Sequence, residues 1–141
     1  DYAEMKTLFY GHSYCGNPLG CAAALASLEV FEAERTLENL EPKIRQMRVL
    51  LDELGRETHV GAVRQCGFMA GIDIVRADGS AYPWQEETGA RICLAARRHG
   101  LLTRPIRDTL VLMPPLCFDS VQLAGAVGAL RTAIREVCGE N

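Results

Sequence analysis

The period of apolar positions along the chain changes several times. From Leu19 to Glu34 the residues are Ala-rich and apolar on almost all sides until Glu29. That pattern predicts a core helix packed on several faces. Asn17-Pro18 supplies its start, because Asn caps and Pro is favoured at the first helical position. Leu37, Leu40, Ile44, Met47, Leu51 and Leu54 then recur at three- and four-residue steps, opposite Glu38, Glu41, Arg45, Arg48, Asp52 and Glu53. They predict an amphipathic helix over 36–57, with Gly55 as its stop signal.

After Gly55 the pattern switches to alternation. Val60 to Gln65 and Phe68 to Val75 read as two strands divided at Gly67, and Asp78-Gly79 reads as a turn. Residues 79–85 form a loop with two aromatics, Tyr82 and Trp84. A helix fits 86–99, carrying Ile92, Leu94, Ala95 and Ala96 and stopping at Gly100. Short strands are expected at 101–104 and 109–113, around Ile106-Arg107-Asp108. Asp119-Ser120 caps a last helix bearing Val121, Leu123, Ala124, Val127, Leu130, Ile134 and Val137. Short strands joined by non-crossing links predict an α+β fold, a small and mainly antiparallel sheet covered by helices.

Composition narrows the classes. The 141 residues are 48% apolar and 23% charged, which excludes collagen-like, disordered and disulfide mini-protein chains. A net charge of −3, from 15 basic and 18 acidic residues, argues against nucleic acid as a partner. The longest stretch free of Asp, Glu, Lys and Arg runs from Thr7 to Leu28 but is interrupted by Gly11, Gly16, Asn17, Pro18 and Gly20, so no membrane span is expected. The six cysteines, at 15, 21, 66, 93, 117 and 138, follow no secretory segment, and three lie in helical patterns as small apolar residues. Reduced thiols in a cytoplasmic protein are the expectation. His12, Cys15 and Cys21 lack a zinc-site spacing, so no metal is expected. The opening Asp1-Tyr2-Ala3-Glu4 is neither a methionine start nor a signal peptide, and only two lysines occur, Lys6 and Lys43.

No nucleophile elbow, Walker loop or dinucleotide fingerprint is present. His12, His59 and His99 are far apart in sequence, and the last two sit at element edges. Two features carry candidate chemistry. The loop Tyr10 to Pro18 offers backbone amides, a hydroxyl and glycines at a helix N-terminus, and reads either as a plain turn or as an anion site. In Thr103-Arg104-Pro105 an arginine at a strand end is fixed by proline. It reads either as a solvated side chain or as a carboxylate fork.

Taken together, Gly11 to Leu28 (GHSYCGNPLGCAAALASL), Val63 to Ile74 (VRQCGFMAGIDI) and Gly100 to Leu116 (GLLTRPIRDTLVLMPPL) resemble class III pyridoxal-phosphate-dependent aminotransferases over nearly the whole chain. The H-S-Y-x-G-N form and T-R-P followed by L-M-P-P-L favour the branch serving biotin synthesis, with omega-amino-acid transaminases as the competitor. The resemblance implies that 1–17 is an arm with a phosphate-contacting loop. It implies that 18–141 is the C-terminal small domain, with its leading helices, of a fold-type I transferase, so that the chain is a fragment of a longer enzyme. It further implies pyridoxal phosphate as cofactor, a homodimer with the phosphate contacted across subunits, and amino transfer from a donor to a keto acid. Ser13, with His12 and Tyr14 beside it, falls at the phosphate-contacting position, and Arg104 at the position holding the substrate carboxylate. The cofactor-bearing lysine of the family lies upstream of these motifs, and neither Lys6 nor Lys43 fits it. The isolated chain is therefore expected to be inactive. A non-enzymatic oligomerisation domain is the reading from a different class.

Overall fold

The computed structural model describes residues 3–4, 6, 11–13 and 15–139. Contacts divide the chain into two compact units, Asp1–Glu38 and Asn39–Asn141. The first holds helix α1 (Pro18–Ala33) and the opening of α2 (Thr36–Leu54). Arg35, in the left-handed region at φ 47°, separates the two helices. The division at Glu38 coincides with a local feature of α2: Pro42 lies inside the helix and has no N–H to return to the Glu38 carbonyl.

Helix α1 departs from expectation. None of its residues is buried, and Leu19, Leu25, Leu28 and Val30 are all at least half exposed. Its apolar pattern is real, but among the described residues nothing covers it. Among the described residues, all that are buried lie from Leu40 onward, in the second unit.

That unit is a four-stranded antiparallel sheet with helices on one face. Strands β1 (Val60–Cys66), β2 (Met69–Ile74), β3 (Pro105–Ile106) and β4 (Thr109–Leu112) lie in the order β1-β2-β4-β3. Alternation sends Ala70, Ile72 and Ile74 of β2, with Leu110 and Leu112 of β4, into the core. There they meet Met47, Leu51 and Leu54 of α2, Ile92, Ala95 and Ala96 of α3 (Thr88–Arg98), and Leu123, Val127, Leu130 and Ile134 of α4 (Ser120–Cys138). The register of β1 shifts between Val60 and Val63, which pair with Ile74 and Ile72. This bulge lets both valines face the core side. The other face presents Arg64, Gly71, Asp73, Thr109, Val111 and Met113. Asp119 caps α4 as expected, its carboxylate accepting from Val121 N and Gln122 N at 2.8 Å while Gln122 returns a bond to its backbone.

One strand is misplaced by the sequence reading. Residues 101–104 are irregular, and β3 begins only at Pro105. The cause is local: the Thr103 hydroxyl bonds the Val111 carbonyl that a ladder amide would otherwise use, and Pro105 has no N–H to offer. The hairpin from β3 to β4 turns at Arg107, in the left-handed region at φ 55°.

Helix α3 sits unusually close to that hairpin. The Asp108 carboxylate accepts from Gly89 N at 2.8 Å, and a Cβ built on Gly89 would lie 2.3 Å from the Arg107 carbonyl oxygen. No side chain fits there. Gly89→Ala is expected to destabilise the second unit by about 2–3 kcal/mol, the upper part of the ordinary range for point mutants. Denaturant unfolding checks it; a loss below about 0.5 kcal/mol, ordinary for a surface change, would show that the hairpin gives way freely.

Candidate functional site

The loop before α1 is built by a turn and a cap. Cys15 N donates to His12 O at 2.9 Å, and Gly16, at φ 65°, turns the chain into the helix. The Asn17 side chain then accepts from Leu19 N at 3.0 Å and Gly20 N at 3.3 Å, while Cys21 N bonds the Asn17 carbonyl at 2.9 Å. Pro18 has no N–H. Every amide of the first turn is thus engaged, and the helix contributes field but no free donor. What the loop offers instead is the exposed Ser13 hydroxyl with the Ser13 and Gly16 amides, none of which has a hydrogen-bond partner among the described residues. A Cβ at Gly11 or Gly16 would meet nothing within 4 Å, so the loop is open to close approach. His12 is exposed, and its carbonyl accepts the Cys15 amide. Tyr14 lies outside the described residues.

Arg104 stands in the second unit, exposed, at the entry to β3. Its carbonyl accepts from Val111 N at 3.3 Å, and the Thr103 hydroxyl anchors the preceding residue to the same strand. The guanidinium has no ion pair among the described residues. It borders a concavity of about 370 Å³ lined by Leu102, Thr103, Val111, Met113 and Arg97. Sequence reading missed Arg97, Gly89 and Asp108. A glycine in the opening turn of a helix is the one signal that pointed to the second of these.

His59, His99 and both lysines make contacts within the protein. His59 Nδ1 lies 3.1 Å from the Tyr82 hydroxyl and 3.2 Å from the Val75 carbonyl. Burial pushes the Tyr82 phenol up to about 12. His99 pairs with Glu136 at 2.7 Å. Lys43 donates to the Leu116 carbonyl at 2.8 Å, and Lys6 pairs with Glu4 at 2.9 Å. On the open sheet face Arg64 grips Asp73 with both terminal guanidinium nitrogens, and Thr109 donates to the same carboxylate at 2.7 Å. The Arg64 bond is the main cause holding the Asp73 carboxyl below its ordinary value.

Among the described residues no helix is long and apolar enough to cross a membrane. Comparison with known proteins adds four findings. The family model for aminotransferase class-III matches residues 2–134. The chain is similar, at 44% identity over 99% of its length, to a Geobacter sulfurreducens protein named adenosylmethionine-8-amino-7-oxononanoate aminotransferase, and spans 31% of that protein. The crystal structure of a Methanocaldococcus jannaschii protein of the same name superposes with a TM-score of 0.90 at 39% identity, covering 97% of this chain and 32% of that one. A Vibrio fluvialis aminotransferase in its PMP-bound form gives 0.88 at 25% identity, over 98% and 31%.

The lowered Asp73 pKa fixes a pH dependence. Its contribution to stability is complete above the unfolded value near 3.8 and is lost as pH falls through the lower folded value. Asp73→Asn should therefore lower the unfolding midpoint near neutral pH, with the difference shrinking in acid below that range. A gap that persists undiminished in acid would mean that the side chain acts through packing rather than charge.

Proposed function

This chain belongs to the class-III aminotransferase family, and from that premise we propose that it is the C-terminal part of an enzyme that aminates 8-amino-7-oxononanoate to 7,8-diaminononanoate in biotin synthesis. The parent would be a cytoplasmic homodimer using pyridoxal phosphate. Residues 1–17 would form its arm and phosphate loop, and 18–141 its small domain. The observation that carries the reading is Arg104, an exposed guanidinium without an ion pair among the described residues, beside an apolar concavity. That is the pairing a carboxylate on an aliphatic chain requires. Support comes from the 44% identity to a relative named for this reaction, against 25% for the Vibrio fluvialis aminotransferase. The names of these relatives point to S-adenosylmethionine as the donor.

The residues fit the phosphate end of the cofactor. One hydroxyl and two amides in an open loop make a donor set suited to a phosphate, so Ser13, with His12 and Tyr14 beside it, would hold that end, in the partner subunit's site. The cofactor, when bound, supplies the electron sink that lets an amino group be taken from donor to acceptor. Arg104 binds and orients the acceptor through its acid end, which matters because small misplacements cost rate. Lys43 donates to the Leu116 carbonyl and Lys6 pairs with Glu4, and on this reading the cofactor-bearing lysine belongs to another part of the enzyme.

Two measurements test the reading. In the full-length enzyme Arg104→Ala should lower kcat/KM for the acceptor by roughly 10- to 100-fold, the loss of a charged hydrogen-bonding group, with the donor half-reaction little changed. Unaltered acceptor kinetics would remove Arg104 from the site. The chain by itself, mixed with equimolar pyridoxal phosphate, should yield no stoichiometric borohydride-trappable adduct. Such an adduct on Lys6 or Lys43 would overturn the assignment of the cofactor-bearing lysine to another part of the enzyme.

A further inference from the structure

Arg104 is not the only cation at its concavity. Arg97, in the last turn of α3, lines the same 370 Å³ space. Its guanidinium has neither an ion pair nor a hydrogen bond among the described residues. The C-terminal end of a helix favours a cation, and that alone would account for a basic residue there. It does not account for two guanidiniums, brought from different elements, bordering one space with no carboxylate among the residues that line it. Two like charges so placed repel each other, and a bound anion turns that repulsion into attraction from both. The remaining lining is Thr103 and three apolar side chains: Leu102 and Met113 are 77% and 63% exposed, and Val111 lies on β4.

We infer that Arg97 is a second, specificity-determining cation for the carboxylate that Arg104 holds, with Leu102, Val111 and Met113 as the bed for the aliphatic chain behind it. This rests on the reading of Arg104 given above. Arg97 draws the acid end in by charge. Arg104, set at the strand entry and followed by Pro105, supplies the directed fork. Ligands with a terminal carboxylate are thereby favoured over uncharged ones of the same length.

The test measures binding as well as turnover. Octanoate and octanamide are titrated calorimetrically into the full-length holoenzyme and its Arg97→Gln, Arg97→Lys and Arg104→Gln variants. Arg97→Gln should weaken octanoate about fivefold, the scale of one partly exposed charge interaction, and leave octanamide unmoved. Arg97→Lys should recover most of that loss. The salt dependence of octanoate binding should flatten in Arg97→Gln, because one screened cation is gone. The acceptor's KM should rise in parallel. Octanoate affinity unchanged in Arg97→Gln but lost in Arg104→Gln would reduce Arg97 to a helix-end charge and overturn the inference alone. Octanoate affinity unchanged in Arg104→Gln would overturn the underlying reading of Arg104 itself.

Discussion

The closest constraint in the second unit is the contact of α3 with the β3–β4 hairpin. At Gly89 the helix backbone lies so near the Arg107 carbonyl that a single carbon would collide with it, and Asp108 bonds the same residue's amide. A carboxylate accepting the amide of a helix's opening turn satisfies an orphan donor and complements the dipole. Here it does more, because the carboxylate belongs to another element. It ties the start of α3 to the turn whose first strand begins directly after Arg104. The hairpin is short, with only Pro105–Ile106 paired against Thr109–Leu110, and its own ladder could not hold an arginine in a fixed place. The helix supplies what the ladder lacks.

The rest of the unit follows from having one covered face. Core residues on β2 and β4 alternate with Asp73, Thr109 and Val111 on the open side. The open side is stabilised differently, by an ion pair from Arg64 to Asp73 spanning β1 and β2, extended to β4 by the Thr109 hydroxyl. A lone exposed pair is worth little. This one joins three strands and is bidentate, the geometry in which such a pair counts.

Much of this was legible in the sequence, because alternation and three- and four-residue periodicity are local signals. The first two strands, four helices and the Asp119 cap lie where the pattern puts them to within a few residues. The strand at 101–104 was not legible, since its failure depends on a side chain, Thr103, taking a backbone acceptor on a neighbouring strand. Nor was the exposure of α1, because periodicity reports that a surface is apolar and not what covers it. Arg104 could be singled out by the proline that follows it. Arg97 could not: in sequence it is one of two adjacent arginines at a helix end, and only the fold brings it to the same concavity as Arg104.

The loop at 11–17 changes which donors the proposed anion site would use. A helix N-terminus attracts anions through free amides and the field of the dipole together. Asn17 removes the first of these by taking two amides with its own side chain and one with its carbonyl. The cap is not wasted. A helix of 16 residues with none buried is marginal by its own hydrogen bonds, and a cap worth about 1 kcal/mol is then a large share of what keeps its first turn formed. That formed turn sets where the chain leaves Gly16, and so where the Ser13 hydroxyl and the free loop amides stand. In the proposed site an anion would therefore be held by the loop's donors, with the helix fixing the loop's end and adding an attractive field.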